Sequence, residues 1–261
     1  MQICETYLKR IEAAFDAAAR VIDNMAPGDM NVRRKAGGDI VTEVDRGINL
    51  ALEEVLRQPG EGWLSEESPD TADRLDKARV WIVDPLDGTK EFVAGNPEWA
   101  VSVGLIEDGG LVAGGVWNPA KQELFLGAPG VRVTCNGVEV AMSPRTDSKD
   151  AHVLASRSEI AAGLWKGFGP DLRVDPVGSI AYKLALVAAG RADATWTMWP
   201  RHEWDIAGGA ALVLAAGGSV LIPDGTLPRF NQAAPLVPGI LAANSILAKK
   251  LLAVRNRINE L

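Results

Sequence analysis

The chain has 261 residues, 47% of them hydrophobic, which is enough to bury a core in one large domain or in two modest domains that share an interface. A net charge of -7 and an isoelectric point near 5.0 argue against a protein that binds nucleic-acid polymers or membrane surfaces. Two cysteines and two histidines give neither a disulfide framework nor a zinc cage. The N-terminus lacks the pattern of a signal peptide, and no apolar run reaches the ~20 residues that span a bilayer, which predicts a cytoplasmic protein.

The first half of the chain predicts two helices followed by antiparallel strands. Apolar residues at three-to-five spacing predict a helix over residues 3–25, and a second helix is predicted from Glu43 to Leu56. VWIVD, from residue 80, predicts a buried strand. The segments after residue 98 predict an antiparallel series, with a Gly-Gly turn at 109–110 and an Asn-Gly hairpin at 136–137.

After a polar stretch at residues 143–150, strands and helices alternate. We predict helices over residues 177–190, with Gly190 at the end, over 204–218, and from Ser245, which is expected to cap the last helix. Strands are predicted at 193–198, 219–223 and 239–244. The order indicates an N-terminal α+β half, residues 1–142, and a C-terminal α/β half, residues 143–261, with sheets layered between helices.

Acidic residues concentrate at four junctions between an apolar segment and a loop or helix start. They are Asp39, Glu43 and Asp45 in GGDIVTEVDR, Glu66 and Glu67 in WLSEES, Asp84 and Asp87 in DPLDGT, and Glu203 and Asp205 in EWDIAGG. Each acid alone can be a helix cap or turn residue, worth ~0.5–2 kcal/mol. Together they indicate a cation site, because Pro85 holds Asp84 and Asp87 close and like charges resist joint ionisation unless a cation lies between them. Oxygen ligands suit Mg²⁺.

The Gly-Thr pair that follows the aspartates indicates a phosphate site. Gly88 lets the backbone approach a ligand, and the amides of a helix that begins at residues 88–92 would face an anion. Metal-assisted phosphoester hydrolysis is therefore the leading hypothesis. A haloacid-dehalogenase type of phosphatase uses D-x-D-G-T; the extra residue in D-x-x-D-G-T would displace its second carboxylate.

The motifs GDIVTEVD, SEES, DPLDGT and WDIAGG occur in the order and approximate spacing of the inositol monophosphatase superfamily, which the chain resembles over essentially its whole length. The resemblance implies a layered α-β-α-β-α sandwich that binds two to three Mg²⁺ ions. Mn²⁺ is expected to substitute, and Ca²⁺ and Li⁺ to inhibit. The implied partner is a small phosphorylated metabolite, not a nucleic-acid polymer or a membrane, and a homodimer is expected.

The resemblance also implies a role for individual residues. Glu66, Asp84 and the Leu86 carbonyl would hold the first ion. Asp84, Asp87 and Asp205 would hold the second, and Glu66 would support a third. Thr89 and Asp45 would orient the attacking water, which makes Asp45, Glu66 and Thr89 the catalytic set. The expected phosphate contacts are Asp87, Gly88 and Thr89.

The substrate branch is a separate question. DPLDGTKEF and ASRSE resemble the 3'(2'),5'-bisphosphate nucleotidase, or CysQ-type, branch. Candidate pocket residues are Arg157, Gly178, Ser179, Lys183 and Arg201, whose cations would meet a second phosphate. Alternatively, Arg157 is only a helix-start charge and Lys183 a surface side chain. Met198 stands where the inositol-hydrolysing branch carries an acid, seven residues before the aspartate of WD.

We therefore predict hydrolysis of 3'-phosphoadenosine 5'-phosphate to AMP and phosphate. The alternatives are an inositol-1-monophosphatase and a histidinol- or sugar-phosphate phosphatase, because the segment GSIAYKLALVAAGRADA fits the inositol branch equally well. A catalytically inactive subunit that binds metal and a phosphometabolite is the alternative of a different class. The presence of every candidate metal ligand and of Thr89 disfavours it.

Overall fold

The computed structural model describes residues 2–24, 33–34, 40–41 and 43–259. Its helices are α1 (Gln2–Asp23), α2 (Glu43–Leu56), α3 (Thr89–Val93), α4 (Arg157–Ala161), α5 (Ile180–Ala188), α6 (Glu203–Ala215) and α7 (Ser245–Asn259). Short 3-10 helices cover Ala72–Asp76, Pro119–Lys121 and Lys166–Asp171. In the described part of the chain, no helix is long and apolar enough to cross a membrane. Asp39 lies outside the described residues.

The strands group into two large sheets and two short pairs. The N-terminal strands are β1 (Arg33–Arg34), β2 (Ile40–Val41), β3 (Gly62–Ser65), β4 (Arg79–Asp87), β5 (Ala100–Glu107), β6 (Gly110–Asn118), β7 (Glu123–Ala128), β8 (Val131–Cys135) and β9 (Val138–Glu139). The C-terminal strands are β10 (Ala151–Ala155), β11 (Leu172–Pro176), β12 (Ala194–Trp196), β13 (Arg201–His202), β14 (Gly218–Leu221), β15 (Leu236–Val237) and β16 (Leu241–Asn244).

The larger sheet runs in the order β3-β4-β5-β6-β7-β8-β9. Only β3 and β4 are parallel; the other neighbours are antiparallel, as the turn signals predict. One face packs against α1 and α2 in a core that includes Ile11, Ile48 and Trp81. The opposite face packs against α5 and α6. Because both faces are covered, β4 is buried along almost its whole length, which explains its continuous apolar run.

The second sheet runs in the order β11-β10-β12-β16-β14 and mixes parallel and antiparallel neighbours. One face shares the core of α5 and α6. The other face meets α7 and a cluster in which Trp165, Phe168 and Trp196 contact one another. The molecule is therefore layered as α1/α2, sheet, α5/α6, sheet, α7, which confirms the predicted α-β-α-β-α sandwich.

Glycines let α6 lie unusually close to the larger sheet. A Cβ added at Gly114 of β6 would lie 2.5 Å from the Ala211 Cβ and 2.5 Å from the Gly208 carbonyl oxygen, both on α6. On the other side of α6, a Cβ at Gly209 would lie 2.4 Å from the Leu184 Cβ of α5. Contacts this short leave no room for a side chain, so α6 is clamped between sheet and helix.

Two details differ from the sequence prediction. Ser245 is the first residue of α7, not its cap; the Asn244 side chain accepts from the Leu247 amide at 3.0 Å, while the Ser245 hydroxyl contacts Ser219. The strands that are not predicted are β1, β2, β3, β10, β11, β13 and β15. They are short or follow polar stretches, so they carry little alternation of their own.

Candidate active site

A cavity of about 440 Å³ opens where the end of β4 meets the first residues of α3, α4, α5 and α6. Twelve of the residues predicted for the site line it: Glu66, Asp84, Leu86, Asp87, Gly88, Thr89, Arg157, Gly178, Ser179, Lys183, Arg201 and Asp205. Asp45 is buried in the first turn of α2 and does not line the cavity. Segments as distant in the sequence as those of Glu66 and Asp205 therefore meet at one place.

An irregularity in β4 brings Asp84 and Asp87 to the same cavity. Residues three apart on a regular strand point to opposite faces. Here the register between β4 and β5 shifts between Asp84 and Asp87, as at a bulge, and Pro85 lies inside the shift. The Leu86 amide donates to Asp84 Oδ1 at 2.9 Å, which fixes the turn.

The turn after β4 continues into α3 through Gly88. This residue has a φ of 99°, in the left-handed region that favours glycine, and α3 begins at the next residue. The Thr89 hydroxyl donates to the Leu86 carbonyl oxygen at 3.1 Å. The sequence Gly88-Thr89 thus forms the predicted helix start, beside the aspartates on the cavity wall.

The acidic groups of the cavity repel one another. Asp84 is only 1% exposed, and burial raises its pKa well above the ordinary value, with further increases from Glu66, Asp87 and Asp205. The pKa of Asp205 is also raised well above its ordinary value, first by burial and then by Asp87 and Glu66. A cluster of carboxyl groups under this strain is stabilised by either protons or cations.

The first residues of α5 hold Asp87 in place. The Ser179 hydroxyl and the Ala181 amide each donate to Asp87 Oδ2 at 2.6 Å. Burial raises the pKa of Asp87, and these two hydrogen bonds oppose the increase. Ser179 Oγ also accepts from the Tyr182 amide at 2.9 Å, so one hydroxyl caps α5 and orients a carboxylate of the cavity.

Lys183 is a buried cation, not a surface residue. It is 2% exposed, lines the cavity, and donates from Nζ to the Val177 carbonyl oxygen at 3.0 Å. Burial lowers its pKa to about 8, and the Asp87 carboxylate is the strongest opposing influence. The alternative of a solvent-facing Lys183 is therefore wrong.

Arg157 begins α4, but its charge is already compensated. Its Nη1 lies 2.5 Å from Glu98 Oε2 and 4.0 Å from Glu91 Oε1. Glu98 also accepts from the Gly178 amide at 2.8 Å, which ties α4 to the loop before α5. Arg157 therefore closes one wall of the cavity as part of an ion-pair group, without an excess of positive charge.

Arg201 also lines the cavity, three residues after Met198 in the sequence. Its Nη2 lies 3.2 Å from Glu159 Oε1. The Met198 side chain packs against the core of the second sheet. The position at which the inositol branch carries an acid thus holds an apolar side chain. Nothing in the sequence marks Glu159, because an acid after Ser-Arg-Ser normally faces water.

The donor set of the cavity fits a hard cation. Among the described residues, no three His, Cys, Asp or Glu side chains are gathered closely enough to hold a metal ion as they stand. Asp84, Asp87 and Asp205 nevertheless each turn one oxygen to a backbone amide, leaving the other with no hydrogen bond from the described residues. Carboxylates that keep a free oxygen are the ligands that Mg²⁺ takes.

Comparison with known proteins agrees with this geometry. The Inositol monophosphatase family matches residues 4–260. An inositol-1-monophosphatase of Mesorhizobium japonicum is 33% identical over 234 residues, 86% of this chain and 85% of that protein. A 3'-phosphoadenosine 5'-phosphate phosphatase of Mycobacterium leprae is 35% identical over 216 residues, 80% of each chain.

Solved structures give the same result. The Thermotoga maritima IMPase superimposes with a TM-score of 0.82 at 28% identity, over 100% of this chain and 99% of that chain. CysQ of Bacteroides thetaiotaomicron superimposes with a TM-score of 0.73 at 27% identity, over 92% of this chain and 97% of that chain. The family consists of Mg²⁺-dependent phosphatases that act on small phosphorylated molecules. The chain therefore belongs to the inositol monophosphatase family and is a phosphoric monoester hydrolase.

Proposed function

We propose that the protein is a Mg²⁺-dependent 3'(2'),5'-bisphosphate nucleotidase, which converts 3'-phosphoadenosine 5'-phosphate to AMP and phosphate. The observation that carries the hydrolytic part is the cluster of Glu66, Asp84, Asp87 and Asp205 in one cavity, with the pKa of both Asp84 and Asp205 raised by burial and by neighbouring carboxylates. Such a cluster has little use in folding, because each charge destabilises the next. Cation binding gives it a function.

The ligands we propose are those that face the cavity. Glu66, Asp84 and the Leu86 carbonyl form one set, and Asp84, Asp87 and Asp205 the other. When bound, the ions supply an acidified water and neutralise charge on the phosphoryl oxygens. A third ion near Glu66, replacement by Mn²⁺, and inhibition by Ca²⁺ and Li⁺ are part of the same proposal.

The protein groups that act on the phosphate lie at the start of α3. We assign phosphate binding to the amides of Gly88 and Thr89, beside Asp87. Thr89 and Asp45 would orient the attacking water for in-line displacement, and the hydrogen bond from Thr89 to the Leu86 carbonyl supports a fixed position for that hydroxyl. No covalent enzyme intermediate is required.

Arg201 favours a bisphosphate as substrate. It faces the cavity together with Lys183, and it keeps donors beyond the Nη2 that Glu159 accepts, whereas Arg157 is paired with Glu98 and lies near Glu91. A second phosphate on the leaving nucleotide gives these cations a partner. The similarity to the Mycobacterium leprae 3'-phosphoadenosine 5'-phosphate phosphatase and to CysQ supports the same choice.

Inositol 1-phosphate is the second candidate substrate. The Mesorhizobium japonicum and Rhizobium meliloti relatives are inositol-1-monophosphatases, at 33% and 32% identity. Glu91 also lines the cavity and is an acid that can accept hydrogen bonds from sugar hydroxyls, in place of the acid missing at Met198.

The test is Mg²⁺-dependent phosphate release from 3'-phosphoadenosine 5'-phosphate and from inositol 1-phosphate. We expect at least a 100-fold higher kcat/KM for the bisphosphate, equivalent to ~2.7 kcal/mol of transition-state stabilisation. Asp84→Asn should abolish release, whereas Asp108→Asn, an exposed aspartate in the turn between β5 and β6, should not. A preference for inositol 1-phosphate would overturn the substrate, and full activity in EDTA would overturn the metal mechanism.

A further inference from the structure

A buried carboxylate lies directly behind the wall that carries Arg201. Glu159, on α4, is 0% exposed. Its Oε1 accepts from the Met198 amide at 3.1 Å, from the Trp199 amide at 3.1 Å and from Arg201 Nη2 at 3.2 Å. One oxygen thus fixes both the backbone of this wall and the guanidinium that lines the cavity.

A second buried guanidinium contacts the backbone of the same wall. Arg255 of α7 is 5% exposed, and its Nη2 lies 3.5 Å from the Thr197 carbonyl oxygen. Burial lowers the pKa of Arg255, and Glu159 is the charge that opposes this shift. The backbone of this wall is therefore contacted by a second guanidinium group, that of Arg255, at the Thr197 carbonyl.

The hydrogen bonds of this group are incomplete. Glu159 Oε2, Arg201 Nε and Arg255 Nη1 are all buried and have no hydrogen-bond partner among the residues that the structure describes. Buried polar atoms are normally satisfied, and exceptions tend to mark places where a ligand or water completes the network. Arg201 is the member of the group that lines the cavity.

We propose that Glu159 is a positioning residue that holds Arg201 as a clamp for an anionic group on the leaving half of the substrate. The inference rests on the proposed function, because that group is the 5'-phosphate of the bisphosphate. Glu159 fixes the guanidinium from behind and limits its rotamers, so Arg201 presents its remaining donors to the cavity without a loss of side-chain entropy at binding. Specificity for a second phosphate then depends on a residue that does not touch the substrate.

The test compares two substrates that differ only in that group, 3'-phosphoadenosine 5'-phosphate and adenosine 3'-monophosphate. Arg201→Gln should raise KM for the bisphosphate about 10- to 100-fold, as expected for the loss of a hydrogen bond between charged groups, and change kcat less than about threefold. Glu159→Gln, which keeps the shape of the side chain, should raise the same KM about 10-fold. KM for adenosine 3'-monophosphate should stay within about twofold in both variants.

A double-mutant cycle separates positioning from general support of the fold. If Glu159 acts through Arg201, the E159Q/R201Q variant has the same KM for the bisphosphate as R201Q alone. Glu139→Gln and Arg173→Gln each remove one charge of an exposed ion pair and serve as controls. They should leave KM for both substrates unchanged. Circular dichroism checks that each variant is folded. If Glu159→Gln does not fold, Glu159→Asp replaces it; this substitution draws the carboxylate back and should give a KM for the bisphosphate between those of the wild type and R201Q.

The outcomes distinguish the inference from the function on which it rests. The positioning role is overturned, while the nucleotidase stands, in two cases in which the wild type prefers the bisphosphate. In the first, the Glu159 variants raise KM equally for both substrates. In the second, Glu159→Gln raises KM for the bisphosphate further in the R201Q background. If the wild type hydrolyses both substrates equally well, the bisphosphate function fails, and Arg201 as a clamp fails with it.

Discussion

Substitution of Gly114 by alanine tests whether the position of α6 sets the metal site. The added Cβ would lie 2.5 Å from the Gly208 carbonyl oxygen and 2.5 Å from the Ala211 Cβ. Ordinary contact needs about 3.5 Å, so α6 must move by about 1 Å. Asp205 is in the first turn of α6, whereas Asp84 and Asp87 are on β4, so the shift separates the two sources of ligands.

The expected effects follow from that displacement. Overpacking should cost about 1–3 kcal/mol of the free energy of unfolding, or about 2–4 °C in Tm per kcal/mol for a chain of this size. A 1 Å error exceeds the ~0.2 Å tolerance of a metal site. The Mg²⁺ concentration for half-maximal activity should therefore rise about 10-fold or more, with kcat/KM lower by about 100-fold at limiting Mg²⁺.

The neighbouring glycine provides a control for destabilisation alone. Gly115 faces the other side of β6, where an added Cβ would meet side-chain atoms of Ile11, Phe15 and Leu126 at 2.7–3.0 Å. Gly115→Ala should lower Tm without changing the Mg²⁺ requirement. Gly110→Ala, whose added Cβ would meet only the Glu107 carbonyl oxygen at an ordinary 3.7 Å, should change neither. The assay is phosphate release across a Mg²⁺ titration. An unchanged Mg²⁺ requirement in Gly114→Ala, or equal changes in Gly114→Ala and Gly115→Ala, would refute the reasoning.

Three further predictions concern the same cavity. Burial raises the folded-state pKa of Asp84, so the folded protein holds this proton to higher pH than the unfolded chain does, and metal-free protein should lose stability as pH rises above about 4. Asp84→Asn should reduce this loss, measured as the free energy of unfolding in urea at pH 4.5 and 7. An equal loss in variant and wild type would contradict the prediction. Mg²⁺ at 100 times its Kd should add about 2.7 kcal/mol to wild-type stability and less to Asp84→Asn, measured by thermal melts, and no shift would argue against a bound ion. Ser179→Ala removes the acceptor of the Tyr182 amide and a hydrogen bond to Asp87. We therefore expect a free energy of unfolding about 1 kcal/mol lower and weaker Mg²⁺ binding, with Ser148→Ala as an unaffected control.

The acidic site could be predicted from the sequence because its signals are local. DPLDGT places two aspartates, a proline and a glycine in one turn, and each shapes the backbone independently of the rest of the chain. α2 begins and ends at the predicted residues for the same reason, since its apolar face repeats at helical spacing.

The network behind Arg201 could not be predicted in this way. Glu159 and Arg201 are 42 residues apart in the sequence and meet only because tertiary packing brings α4 beside β13. The compensation of Arg157 by Glu98 is likewise invisible to local patterns. Charge pairing between distant segments depends on tertiary packing, which a pattern within one segment does not encode.

The clamped position of α6 has a consequence for how the protein folds during its synthesis. Asp84 and Asp87 leave the ribosome well before Asp205, with more than a hundred residues between them, and the sheet face that α5 and α6 cover emerges with the aspartates. Domains fold as units during synthesis, so the nascent sheet has an uncovered apolar face and an incomplete ligand set until the central helices arrive. A chain whose α6 has not yet left the ribosome therefore lacks both the cover of this sheet face and Asp205.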